Sequence, residues 1–117
     1  MGRIERVNEQ IKREIGDIIQ RELGDPRLGF VTITRVNVSR DLRHAKISFS
    51  VLGDLKQKEN AQASLDNARG LIRRYLSSRV MMRYLPELMF VHDNSLEISA
   101  RIEEKLKEIS DESEAHH

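Results

Sequence analysis

The apolar residues of this chain change period twice, from helical to alternating and back, and that succession leaves few ways to build a core. Ile4, Val7, Ile11, Ile15, Ile18, Ile19 and Leu23 recur at steps of mostly three and four, the spacing that lines one face of a helix. Glu5, Glu9, Lys12 and Arg13 take its other face. Gly24-Asp25-Pro26 ends it, because glycine accepts a left-handed cap and proline cannot continue the hydrogen-bond ladder. From Phe30 the period falls to two. Val31 and Ile33 share one alternating face and Val36 and Val38 the other, which predicts a bulge or twist near Thr34-Arg35. Ser39 to Arg43 is the turn. Ala45, Ile47, Phe49 and Val51 then alternate with Lys46, Ser48 and Ser50, predicting a strand with one buried and one wet face, paired as a hairpin with the strand before it.

The helical period returns at Lys56, with Ala61, Leu65, Ala68, Ile72, Tyr75 and Leu76 on one side. Gly70 interrupts this segment, and a glycine inside a helix costs about 1 kcal/mol relative to alanine, so two helices joined by a kink are expected. Leu85-Pro86 closes the segment. Leu88-Met89-Phe90-Val91 reads as a short strand apolar on both faces, placed at the sheet centre or under a helix. Asn94 with Glu97 resembles a capping box that opens a last helix through Ile98, Ile102, Leu106 and Ile109. The predicted order is αββααβ with a terminal helix: a small α+β sandwich, one domain over 1–110, followed by an acidic flexible tail at 111–117. No repeat and no long linker divides it.

Charge is sorted along the chain, although the net value is only +1. No acidic residue falls between Asp66 and Glu87, while Arg69, Arg73, Arg74, Arg79 and Arg83 all do. Surface helices ordinarily interleave both signs. An acid-free run of planar, permanently charged donors suits phosphate oxygens and points to nucleic acid, with a solvated helix as the bland alternative. Arg40, Arg43, His44 and Lys46 extend the patch around the hairpin turn, where basic residues also serve simply to keep an edge soluble. The acids collect from Glu103 onward, against Lys105 and Lys107. His116 and His117 are either native or the stub of a purification tag, and no function is read from them.

An enzyme needs a nucleophile with its base, paired carboxylates, a metal cluster or a phosphate-cradling loop, and none stands out. The chain has no cysteine, which removes disulfides, zinc ribbons and thiol nucleophiles. His44 and His92 lie in different elements and form no recognisable ligand set. Asp25-Pro26-Arg27 and Asp93-Asn94-Ser95 read as a helix exit and a helix entry. No segment approaches the roughly 20 apolar residues that span a bilayer. Phe30, Phe49 and Phe90 are expected in the core, so bases stacking on an aromatic sheet are not expected. No cofactor and no metal is expected, and the cytoplasm is the expected compartment.

Several landmarks then converge: the opening helix from Arg3 to Leu23, Asp25-Pro26-Arg27-Leu28-Gly29, Val38-Ser39-Arg40-Asp41-Leu42, Ala68-Arg69-Gly70, and Pro86-Glu87-Leu88 with Phe90 and Asp93-Asn94-Ser95. In this combination and order the chain closely resembles the ribosome-binding factor A family, from about Arg3 to Ile109. The resemblance implies a type II KH-like fold in which Ala-x-Gly stands at an interhelical kink, matched here by Ala68-Arg69-Gly70, where ordinary KH domains carry Gly-x-x-Gly. It also implies a bacterial factor that binds the immature small ribosomal subunit and its 16S rRNA near the decoding region, assists late maturation and supports growth in the cold. It would act as a monomer without chemistry of its own, with other assembly factors, a GTPase among them, as candidate partners. Two rivals follow from the basic segment alone: a DNA-binding regulator, which would need a dimer interface, and a protein adaptor for an acidic partner.

Overall fold

The computed structural model describes residues 2–94 and 102–109. The opening stripe forms α1, Arg3–Arg21, burying Ile11, Ile15, Ile18 and Ile19. Its exit is built from local chemistry. Gly24 takes φ 59°, and the Asp25 carboxylate accepts from the Arg27 amide at 2.9 Å and from the Arg27 guanidinium at 3.1 and 3.0 Å. These bonds close a 3-10 turn over Pro26–Leu28 that sinks Leu28 into the core. β1, Val31–Val38, and β2, His44–Val51, pair antiparallel as expected. Their register shifts between Ile33 and Arg35. The extra residue, Thr34, lets Ile33 and Val36 both enter the core, which is how a period-two strand changes face.

The hairpin turn is tied by Ser39 and Asp41. Asp41 Oδ1 accepts from Ser39 Oγ at 2.7 Å and from the Arg43 amide at 3.1 Å, and Ser39 Oγ accepts from the His44 amide at 3.1 Å. The Ser39 hydroxyl, then the Arg43 amide, hold the Asp41 carboxyl below its usual 3.8. Leu42 takes φ 62°, a left-handed conformation that costs an L residue about 1–2 kcal/mol, and its side chain packs against the core. Arg40 and Arg43 are left exposed.

α2 runs without interruption over Leu55–Ser77, which corrects the expected helix pair kinked at Ala68-Arg69-Gly70. Gly70 weakens helix propensity but keeps its N–H and C=O, so the ladder passes through it as it could not through proline. Helix formers Ala68, Arg69, Leu71 and Arg73 flank it. The start is a capping box in which Asp54 Oδ1 accepts from the Gln57 amide at 2.9 Å and Gln57 Oε1 accepts from the Asp54 amide at 2.7 Å. Termination comes instead at Ser77 and Ser78, whose hydroxyls donate to the carbonyls of Arg74 and Tyr75 at 2.6 and 2.8 Å. No second helical arm follows, and Arg79 and Arg83 lie in an irregular segment that leads to β3, Glu87–His92.

β3 pairs parallel to β2, giving the sheet order β1-β2-β3. β2 is therefore central. Ser48 and Ser50, expected to be wet, are buried; Ser48 is enclosed between Arg35 of β1 and Val91 of β3. β3 is an edge strand lying under α2, the second of its two expected placements, but it is not covered on both faces: Met89 is 55% exposed. α1 lies over β1, α2 over β3, and the two helices touch, so a layer of helices covers one face of the sheet. Phe30, expected in the core, is 75% exposed because it precedes the ladder. Residues 102–109 form a third helix, α3. Ile98 and Glu97, expected at its start, and the tail at 111–117 lie outside the described residues.

The segment after α2 is fastened by one side chain. The Arg79 guanidinium donates to Asp17 at 2.6 Å, Glu14 at 3.3 Å and Glu22 at 3.1 Å, all on or just beyond α1. The Arg79 side chain is only 23% exposed, and next to it Val80 is buried. The hydrogen bond from Arg79 holds the Asp17 carboxyl below its usual 3.8.

Two outcomes are expected. Gly70→Ala should stabilise the fold by about 0.5–1 kcal/mol, since a Cβ there meets nothing within 4 Å; denaturant unfolding that showed a loss would restore the kink. Arg79→Met should lower the urea midpoint at neutral pH. Because the folded Asp17 is the stronger acid, its contribution is complete above about pH 5 and is lost as the pH falls through its depressed folded value, so the gap between the two proteins should narrow in acid.

Candidate nucleic-acid interface

Three elements bring arginines to one region of the surface. α2 supplies Arg69, Arg73 and Arg74 on exposed positions, with Arg69 and Arg73 one turn apart. The segment after it supplies Arg83, and the hairpin turn supplies Arg43 and Arg40. A hollow of about 400 Å³ is lined by Gly70, Arg73, Arg74, Ser77, Arg83 and Tyr84. A larger cleft of about 820 Å³ continues on the other side of Arg83 and Tyr84, where Arg3, Arg43 and His44 join them. Arg40 stands beside Arg3 in a third depression that also holds Glu5. Gly70 lines the first hollow, and a Cβ built there would meet nothing within 4 Å.

How each guanidinium is held decides what it can still bind. Arg73 donates from Nη2 to the Leu85 carbonyl at 2.8 Å and from Nε to the Pro86 carbonyl at 3.2 Å. Those acceptors are neutral, so the side chain is fixed in place with its charge uncancelled, and it pins the same segment that carries Arg83. Among the described residues no carboxylate lies within ion-pairing distance of Arg3, Arg40, Arg43, Arg69, Arg74 or Arg83. Arg79 is the opposite case. Expected in the patch from its place in the acid-free run, it is consumed by Glu14, Asp17 and Glu22. Lys46 stands apart as well, on the sheet face away from the helices, between Asn37 and Met89 of the flanking strands.

Two residues of this surface are not signalled by the sequence pattern. Arg3 sits in the first turn of α1, the positive end of the helix dipole, where a cation is disfavoured. Tyr84 is 75% exposed, with the Arg83 Cζ 5.5 Å from its ring centroid. A base can stack on such an exposed ring, whereas the outer sheet face offers Arg35, Asn37, Lys46, Ser48 and Met89 and no aromatic. Ala68 is half-buried against the core. Among the described residues no group of three metal-ligating side chains converges, and no helix is long and apolar enough to cross a membrane.

Comparison with known proteins gives the chain a family. A family model described as Ribosome-binding factor A matches residues 3–106. The chain is 48% identical over 113 residues to a protein of Halothermothrix orenii named ribosome-binding factor A, covering 97% of this chain and 93% of that one. The crystal structure of ribosome-binding factor A from Thermus thermophilus superposes with a TM-score of 0.70 at 30% identity, covering 79% of this chain and 97% of that one. A homology model of ribosome binding factor A from Thermus thermophilus, fitted into a cryo-EM map of its complex with the 30S subunit, gives 0.64 at 31% identity, covering 74% and 91%. A match over nearly the whole length, at close to half identity, makes this chain a member of the ribosome-binding factor A family.

Proposed function

We propose that this protein binds the immature small ribosomal subunit by gripping phosphates of its 16S rRNA, as a KH-like assembly factor that assists late rRNA processing and maturation and matters most in the cold. The observation that carries this reading is the pair of adjoining hollows around Arg83: the guanidinium groups of Arg3, Arg43, Arg73, Arg74 and Arg83 line them and make no ion pair among the described residues, and the larger hollow also holds Asp41 and Glu87. The Thermus relative fitted into a map of its 30S complex supports the choice of partner.

An ordinary KH domain clamps a single strand with a flexible loop between two helices. In this chain Ala68-Arg69-Gly70 lies inside an unbroken helix, so no loop is free to close on a strand. The arginines instead sit on rigid supports at fixed separations, which favours phosphates already arranged in a folded RNA. Binding then stabilises one rRNA arrangement over others by the difference in its affinity for them. The protein works as a cytoplasmic monomer without catalysis, and its release falls to other assembly factors, a GTPase among them.

The test is co-sedimentation with precursor small subunits, mature subunits and naked duplex DNA across a salt series. Selective retention by precursor particles that fades with salt is the expected result; equal retention by all three would reduce the surface to generic basicity. Arg43→Glu combined with Arg83→Glu should lower precursor affinity tenfold or more, about 1.4 kcal/mol per factor of ten. The slope of log affinity against log salt should flatten by about 1 for each phosphate that is no longer neutralised. Arg79→Met should leave that slope unchanged while lowering stability.

A further inference from the structure

The sheet ends in β1 on one side and β3 on the other, and the helices guard these two edges differently. On β3 the guard stands at mid-strand, where Gln62 of α2 donates to the Phe90 carbonyl at 2.9 Å. On β1 the guards stand at the ends. Gln20 of α1 donates to the Val31 carbonyl at 3.3 Å, and the Val38 amide donates to Asn8 Oδ1 at 2.9 Å. A residue in an antiparallel pair turns its amide and carbonyl to one side, and its neighbours turn theirs to the other. The outward set is therefore Val31 and Ile33 before the bulge and Val36 and Val38 after it. The outward amides and carbonyls of Ile33 and Val36 meet no side chain or loop among the described residues.

The gap has a cause in α1. Asn8, Lys12, Gly16 and Gln20 follow one another at steps of four, one row along the helix. α1 runs opposite to β1, since Asn8 meets Val38 and Gln20 meets Val31. Four helical residues rise about 6 Å and two strand residues about 6.6 Å, so position 16 comes level with Ile33. The row has a glycine there. Its backbone is helical and a Cβ would meet nothing within 4 Å, so neither conformation nor crowding calls for glycine. A groove of about 740 Å³ opens at this place, with Lys12 and Gly16 on one side and Val31, Thr32 and Ile33 on the other. The side chains of Val31 and Ile33 are buried, so what they offer the groove is backbone.

We propose that this groove takes a short extended segment of another protein, added beside β1 as a further strand. A polypeptide backbone supplies an acceptor and a donor for Ile33, and again for Val36. The groove carries charges of both signs, Lys12, Arg13 and Arg21 against Glu9 and Asp17. Its electrostatic complement is a chain of little net charge rather than a polyanion, unlike that of the arginine surface. The bulge at Thr34 breaks the outer ladder as it breaks the inner one, which keeps the added strand short and the edge from templating long stacks. A second copy of this chain fits less well. Two-fold pairing centred on the open stretch sets Arg35 close to its own mate, and like charges facing across strands repel. The inference does not rest on RNA binding, because none of the groove residues belongs to the arginine surface.

The test follows amide exchange by NMR in the full-length protein, with a peptide of alternating valine and threonine, a lysine at each end, as the probe at millimolar concentration. In the free protein the amides of Ile33 and Val36 should exchange faster than those of Thr32 and Asn37, which face β2. With the peptide they should slow by roughly tenfold at nine-tenths occupancy, while the Phe90 amide on the other edge stays unchanged. Gly16→Gln repeats the Gln20 cap at the level of Ile33 and should abolish the slowing. The same variant removes a glycine from a helix interior and should raise the urea midpoint, so lost binding would not be lost folding. Arg43→Glu/Arg83→Glu should leave the slowing intact. Slow exchange at Ile33 and Val36 in the free protein that speeds up on dilution would give the edge to a second copy and overturn the proposal. It would equally be overturned by protection from an oligouridylate instead of the peptide, by slowing centred on Phe90, by no slowing, or by slowing that survives Gly16→Gln.

Discussion

A parallel pair of strands cannot be closed by a turn, so once β2 and β3 lie side by side the chain between them must cross the helical layer and come back. α2 makes the outward journey, and the irregular segment from Ser78 to Pro86 makes the return. That return carries no ladder of its own. It is held by Arg79 on three carboxylates at the far part of α1, by buried Val80, and by Arg73 on the carbonyls of Leu85 and Pro86. Both hollows of the arginine surface share this segment as a wall. The Arg79 clasp therefore supports the wall of the surface without itself facing a ligand.

Two arginines of the same acid-free run thus do opposite work. Arg79 has its charge matched by Glu14, Asp17 and Glu22, and what it gives is position. Arg73 is bonded to neutral oxygens and keeps its field directed outward. The distinction is one of partner, not of exposure alone, since a guanidinium has about five donors and two used on carbonyls leave roughly three for a phosphate. A cation paired inside the protein offers a phosphate only an exchange of partners, whereas an unpaired one on a rigid support adds its attraction in full.

Much of the fold is legible in the sequence because its causes are local. The stripe from Ile4 to Leu23, the Gly24-Asp25-Pro26 exit, the bulge at Thr34 and the hairpin turn at Ser39 to Arg43 each follow from residues within a few positions of one another. What escapes depends on strand order. The alternation of Ser48 and Ser50 promises a wet face, and nothing in β2 announces that β3 will take its free edge. The apolar run of β3 suggests a strand at the centre or under a helix, and it lies under α2 at an edge, where Met89 is exposed. Gly70 misleads for a different reason: its helix-weakening tendency is real, but the bonds on either side outweigh it. At the site, the acid-free run locates Arg69, Arg73, Arg74 and Arg83, and the turn locates Arg40 and Arg43. The pairing of Arg79 with α1 joins residues 57 to 65 positions apart, and no local pattern encodes it.

Arg3 shows how a local rule can point outward when it is broken. Glu5 in the first turn of α1 complements the dipole, and Arg3 and Arg6 oppose it. Within the folded chain nothing among the described residues repays that placement, since neither arginine meets a carboxylate. Arg3 does reach the same cleft as Arg43 and Arg83, which come from two other elements. An unfavourable cation at a helix start, two unpaired cations from a turn and a pinned segment, and one shared cleft have a common explanation. Asp41 and Glu87 share that cleft without forming an ion pair with any of the three, and the proposed phosphate contact would supply the missing partner.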